Sequence, residues 1–169
     1  MPVDLVEAIG AARGLLERTV GSRIEVRLEL ERGLPMALCP PGQLETVLLN
    51  LAANARDAMP ARGVLAVRAG LAPVGAADPY LAPGWYARLL VSDSGSGMHP
   101  RLLRRAPEPY FSTKGGRGTG LGLPTVFGLA RSVGGDVRID SIVGRGTTVA
   151  VYLPAVRPGG KPLTLESRG

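Results

Sequence analysis

The sequence predicts a mixed α/β domain in which helices and strands alternate around one core. Three observations carry this expectation. Apolar residues recur at helical spacing in three separate segments. Strictly alternating or short apolar runs lie between and after them. A chain of 169 residues with 45% apolar content supplies one substantial core, and two domains would be a squeeze. The expected order is helix, strand, helix, two strands, helix, two strands.

Each element has its own signal. Asp4 followed by Glu7, ahead of Ala8, Ile9, Ala12, Leu15 and Leu16, predicts a capped amphipathic helix, with Asp4 as N-cap, Glu7 reaching back, and an end near Gly21. Ile24, Val26, Leu28 and Leu30 alternate with Arg23, Glu25, Arg27, Glu29 and Glu31, the pattern of a strand with one wet face. Pro40–Pro41–Gly42 opens a second helix that runs through Met59. Val64–Ala69 and Trp85–Val91 read as strands, joined by an Ala, Pro and Gly-rich hairpin connection at Leu71–Gly84. A third helix is expected at about Leu121–Val133, then closing strands at Val137–Asp140 and Thr147–Leu153. From Pro154 onward Pro, Gly and charge dominate, so the domain is expected to span 1–154 and a linker or disordered tail 155–169.

Composition excludes several classes. Lys and Arg exceed Asp and Glu by 20 to 14, giving +6, yet the basic residues are scattered, with no basic run interleaved with aromatics, so nucleic acid is not expected as a partner. Cys39 and His99 stand alone, which excludes an internal disulfide and a Cys/His zinc site and fits a reducing cytosol. No segment approaches about 18 uninterrupted apolar residues, so no direct membrane contact is expected of this segment.

Three motifs point to chemistry. Gly116–Leu123, GRGTGLGL, has glycine at every second position and leads into the third helix; such a backbone can cradle phosphate with amides at a helix N-terminus. It is neither a P-loop, which needs GK and then Ser or Thr, nor a Rossmann turn, since its third glycine is displaced and a polar, Pro-rich segment precedes it. In the second helix, Asn50, Asn54 and Asp57 fall within about 60° of one another and form one polar stripe. Neutral amide oxygens suit Mg²⁺ already balanced by phosphates, or else make ordinary loop contacts. In Val91–Met98, VSDSGSGM, an apolar strand ends at Asp93, which either caps its own turn or accepts a hydrogen bond from the exocyclic amine of adenine; guanine offers an acceptor there. Thr147, in the GRGTT turn, is placed to hold a base or Asp93 through its hydroxyl or a water.

Asn50-LAAN-Ala55, Asp93-SGSGM, Pro107-EPYFSTK, Gly118-TGLGL and Gly146-Thr147 occur in the order and spacing of the N, G1, F, G2 and GT boxes of sensor histidine kinases. From about Pro2 to Pro154 the chain resembles their catalytic ATP-binding domain, a member of the superfamily shared with gyrase, heat-shock chaperones and MutL. The resemblance implies a two-layer α/β sandwich of the Bergerat type, a mixed, mostly antiparallel sheet of about five strands covered on one face by three helices.

It also implies roles. Asn54 would be the principal Mg²⁺ ligand and Asn50 a supporting one, Asp93 the adenine reader, and Gly95, Gly97 and Met98 the loop passing the base. Asp57, Leu121, Leu123 and Thr147 would complete the ATP-binding set, and Gly118, Thr119, Gly120 and Gly122 would present amides to the phosphates. Lys114, in a segment Ala106–Thr119 similar to the family's ATP lid, either reaches the γ-phosphate or is solvated. The implied activity is transfer of the γ-phosphate of Mg-ATP to a histidine on a separate dimerisation and acceptor domain of a two-component kinase, with a response regulator or receiver domain downstream. The implied setting is the cytoplasm, with or without a membrane anchor elsewhere in the parent. Water-activating relatives carry glutamate where Asn50 stands, so slow hydrolysis is expected; no histidine followed by an acidic residue supplies an acceptor, since His99 lies in HPRLLRRA. Pro107 and Tyr110 stand where the F box usually has aromatic and Phe. NARDAMP with EPYFSTK and the Pro-rich tail is similar to hybrid kinases. The alternatives are a nucleotide-binding regulatory module without phosphotransfer and an anti-sigma-type serine kinase.

Overall fold

The apolar periodicities become elements that begin within a residue or two of the expected places. The computed structural model describes residues 1–98, 101, 104 and 122–168. The first amphipathic run forms α1 (Leu5–Ala11) and α2 (Arg13–Val20), interrupted at Ala12, with the weak helix formers Gly10 and Gly14 on either side. The Asp4 carboxylate accepts the Glu7 amide at 3.1 Å, so the N-cap forms as the sequence implies. The alternating segment is β2 (Ile24–Leu30), with Ile24 and Val26 buried and Glu25, Arg27 and Glu29 exposed. The second helix is α3 (Gln43–Ala58), followed by β4 (Gly63–Val74), β5 (Gly84–Asp93), α4 (Gly122–Ser132), β6 (Asp136–Ile142) and β7 (Gly146–Val156).

Two short strands carry no periodic signal: β1 (Pro2–Val3) and β3 (Met36–Leu38). They extend the sheet to seven strands in the order β1-β3-β7-β5-β4-β2, with β6 also paired to β7. Only β2 and β4 run parallel among the described pairs, so the sheet is mixed and mostly antiparallel. One face packs against the helices. Leu65, Val67, Ala87, Leu89, Val91, Val149 and Val151 meet Leu16, Leu48, Leu51, Ala55, Val126 and Phe127 in a single core cluster. Alternation sends Tyr86 and Tyr152 to the opposite face, where with Ala72, Val74 and Leu81 they form a smaller cluster.

The strands correct two expectations. The connection placed at Leu71–Gly84 is shorter, because β4 pairs with β5 as far as Val74↔Gly84. Within the remaining turn the Asp78 carboxylate accepts the Leu81 and Tyr80 amides and pairs with Arg138, which together hold its carboxyl well below the usual range. The boundary expected at Pro154 falls inside β7. Ala155 and Val156 are buried, the Leu163 amide donates to the Ala155 carbonyl at 2.8 Å, and the Leu163 carbonyl accepts from Trp85 at 3.0 Å. The segment after β7 thus folds back on the sheet and ends in a 3₁₀ turn at Leu165–Arg168. Among the described residues no helix is long and apolar enough to cross a membrane.

Candidate functional site

The amphipathic face of α3 sets the first half of the site. Leu44, Val47, Leu48, Leu51, Ala52 and Ala55 are buried, which leaves Asn50 and Asn54 half-buried at the edge of the core. Asn54 Nδ2 is buried and has no hydrogen-bond partner among the described residues. The start of α4 lies against it: a Cβ built on Gly122 would stand 3.4 Å from Asn54 Nδ2 and 3.5 Å from Oδ1. An amide end left unpaired in this setting costs about 1–3 kcal/mol, a cost removed when a ligand or metal-bound oxygen supplies the partner. Leu123 packs half-buried against the core beside it. Asp57, one turn on, is exposed and pairs with the neighbouring Arg56 at 3.3 Å. Arg56 also donates to the Thr19 carbonyl at 3.2 Å, which ties the end of α3 to the end of α2.

The end of β5 sets the second half. Strand register places Asp93 opposite Leu65 on β4 and Thr147 on β7, between two neighbours. Its Oδ1 accepts the Gly95 amide at 2.9 Å and the Thr147 amide at 3.3 Å, while Oδ2 accepts no hydrogen bond among the described residues. Burial pushes the Asp93 carboxyl above the usual carboxylate pKa, against the pull of the Gly95 and Thr147 amides. The turn-capping alternative for this residue is realised through Oδ1, and Oδ2 faces no donor among the described residues.

The loop that follows is wedged between α3 and the β6–β7 hairpin. The Ser96 amide donates to the Ala58 carbonyl at 3.1 Å, the Gly144 amide to the Ser96 carbonyl at 2.8 Å, and the Met98 amide to Ser141 Oγ at 2.7 Å. These contacts give glycine at 95 and 97 a reason within the fold itself. A Cβ at Gly95 would come within 2.5 Å of the Ala58 carbonyl oxygen. One at Gly97, where φ is +72°, would overlap the Ile142 carbonyl. In this structure both glycines admit neighbouring backbone into contact. Thr147 holds Asp93 through its amide, whereas its hydroxyl bonds Ser141 Oγ at 2.7 Å. Lys114, Gly118, Thr119, Gly120, Leu121 and the segment Ala106–Thr119 lie outside the described residues.

Sequence reasoning missed Ser141. Counting back from the GRGTT turn would have found it, since a turn at 143–145 pairs Ile142 with Gly146 and so Ser141 with Thr147.

Residues 40–157 match the family described as histidine kinase-, DNA gyrase B-, and HSP90-like ATPase. The chain belongs to that family. Within it, the sensor kinase CckA of Brucella abortus (strain 2308) is 40% identical over 157 residues, which are 90% of this chain and 17% of that relative. The chain thus spans about a sixth of the length of that relative. Among solved structures, the mycobacterial sensor histidine kinase MprB superposes with a TM-score of 0.72 at 26% identity, covering 96% of this chain and all of the other. Full-length ShkA in complex with AMPPNP gives 0.73 at 27% identity over 93% of this chain and 31% of that one. The chain is a histidine-kinase catalytic domain of this ATPase family, and its fold is the family's two-layer sandwich.

Proposed function

We propose that this domain binds Mg-ATP and presents its γ-phosphate to a histidine on a separate dimerisation and acceptor domain, for onward transfer to a response regulator or receiver domain in the cytoplasm. The observation that carries the reading is Asp93: one carboxylate oxygen is held by two backbone amides, which orients the other as an acceptor suited to the adenine amine. A solved relative, ShkA, is in complex with AMPPNP. The Asn54 and Asn50 carboxamide oxygens fit Mg²⁺, since a hard cation takes neutral oxygen ligands and its remaining ones from phosphates and water, while the buried Asn54 Nδ2, a donor, suits an acceptor such as a phosphate oxygen. Bound there, Mg²⁺ would neutralise phosphate charge.

The chain's own residues then do three things. Asp93 orients the base, Gly122 and Leu123 bring the start of α4 to Asn54, and the positive end of that helix favours the phosphates. Lys114 and the Gly118–Leu121 loop extend the phosphate clamp on the strength of the sequence. Asn50 cannot act as a base, so water attack should be slow, and the transfer rests on positioning an external imidazole in line, as phosphoryl transfer allows.

The test is incubation with radiolabelled Mg-ATP, alone and with the parent's acceptor segment. The domain alone should neither label itself nor turn over ATP quickly, and the added segment should gain an acid-labile, base-stable phosphoramidate. Label that resists acid would indicate a serine acceptor, and ATP binding without label on a folded acceptor would indicate a regulatory module.

A further inference from the structure

Resting on the nucleotide-site reading above, we infer that Ser141 of β6 is a positioning residue for base recognition: its hydroxyl pins the loop after Asp93 to the β6–β7 hairpin and decides where the Thr147 hydroxyl directs its proton. Among the described residues the loop meets the hairpin at three points. Two are backbone contacts, the Gly144 amide to the Ser96 carbonyl at 2.8 Å and Gly97 against Ile142. The third is Ser141 Oγ, which receives the Met98 amide at 2.7 Å and so fixes the far end of the loop.

A hydroxyl has one proton and two lone pairs. The Met98 amide occupies one lone pair of Ser141. Its proton goes either to the Gly146 carbonyl at 3.2 Å or to Thr147 Oγ1 at 2.7 Å. In the first arrangement Thr147 donates to Ser141 and keeps only lone pairs. In the second, Thr147 accepts from Ser141 and its own proton is uncommitted. The distinction matters because the Thr147 amide already touches the Asp93 carboxylate at 3.3 Å, which puts the residue beside the base reader. Adenine presents a bare ring nitrogen next to its amine, whereas guanine presents a ring N–H next to a carbonyl. An accepting Asp93 paired with a donating Thr147 answers adenine on both atoms, and Ser141 supports that pairing when it donates its own proton to Thr147 Oγ1, which leaves the Thr147 proton directed away from Ser141 and available to the ring nitrogen.

Calorimetric titration of the wild type, Ser141→Ala and Ser141→Thr with ADP and with GDP tests this. Ser141→Ala should lose about tenfold in ADP affinity, with GDP affinity changed much less, so that the ADP-to-GDP ratio falls by about the same factor. Ser141→Thr keeps the hydroxyl on a strand position that tolerates β-branching, and should restore the ratio. Equal losses for both nucleotides, or wild-type ADP affinity in Ser141→Ala, would overturn the inference while the wild type's own preference for ADP still stood. A wild type with no preference for ADP would overturn both the inference and the reading beneath it.

Discussion

Asp93→Asn isolates base reading from folding, because among the described residues only one of its two side-chain oxygens is engaged. Asparagine keeps Oδ1 and can therefore still accept the Gly95 amide at 2.9 Å and the Thr147 amide at 3.3 Å. What changes is the other end, where an acceptor becomes an NH₂ donor. Facing adenine, the loss of one charge-assisted hydrogen bond and the confrontation of two donors amount to about 3 kcal/mol, or roughly 100-fold in ADP affinity. Facing guanine, the same NH₂ meets a carbonyl, so the preference should move toward GDP. The unliganded protein should respond in a defined direction too. Burial raises the Asp93 carboxyl above its ordinary 3.8, so over that interval the native state holds the proton more tightly than the unfolded one. Its contribution to stability is present in full below the unfolded pKa and is lost as pH rises through the native one. Asparagine removes this dependence, so the variant at neutral pH should be at least as stable as the wild type and should lack that decline between acid and neutral pH. Calorimetry with ADP and GDP, and denaturant unfolding across pH, measure both. Unchanged ADP affinity would refute the base-reading role, and a strongly destabilised variant would refute the claim that Oδ1 alone bonds to the fold.

Gly97→Ala should destabilise the domain by about 2–4 kcal/mol in denaturant unfolding, since it combines a positive φ with overlap of the Ile142 carbonyl. Asn54→Ala should leave the fold nearly as stable, because it removes a buried amide end that has no partner among the described residues, but it should abolish the Mg²⁺ dependence of nucleotide-induced thermal stabilisation, which for the wild type at 100 times Kd is about 2.7 kcal/mol.

The periodic elements were legible because each signal is local: the alternation of Ile24, Val26, Leu28 and Leu30, or the stripe of Leu44, Val47, Leu48 and Leu51, needs no knowledge of the rest of the chain. β1 and β3 were not, because strands of two and three residues are too short for a period and exist only through their partners on β7 and on each other. The fold-back of Leu163 onto Ala155 fails the same way: Pro and Gly describe its turns, and only tertiary pairing shows where they lead. Site residues divide likewise. Asp93 and Asn54 could be singled out from chemistry and spacing, but the free oxygen of one and the buried amide end of the other are properties of packing.

That division explains why the glycines of the loop after Asp93 could be found from the sequence while the backbone they admit could not. A glycine pattern reports that backbone approaches closely, without naming what approaches. At Gly95 it is the last turn of α3, at Gly97 the end of β6, and the contacts locate the loop relative to the helix that carries Asn54 and to the strand whose hairpin partner, β7, carries Thr147. Because the Ser96 amide takes the Ala58 carbonyl while its own carbonyl takes the Gly144 amide, this one residue joins the helix that holds the asparagines to the hairpin that holds Asp93 by an amide. Two backbone hydrogen bonds at Ser96 and the Thr147 amide on Asp93 thus link α3 to Asp93. Because the loop contacts elements on both sides of the proposed site, substitutions at Gly95 or Gly97 should weaken Mg²⁺ dependence and base preference together, measured by calorimetry with ADP and GDP with and without Mg²⁺.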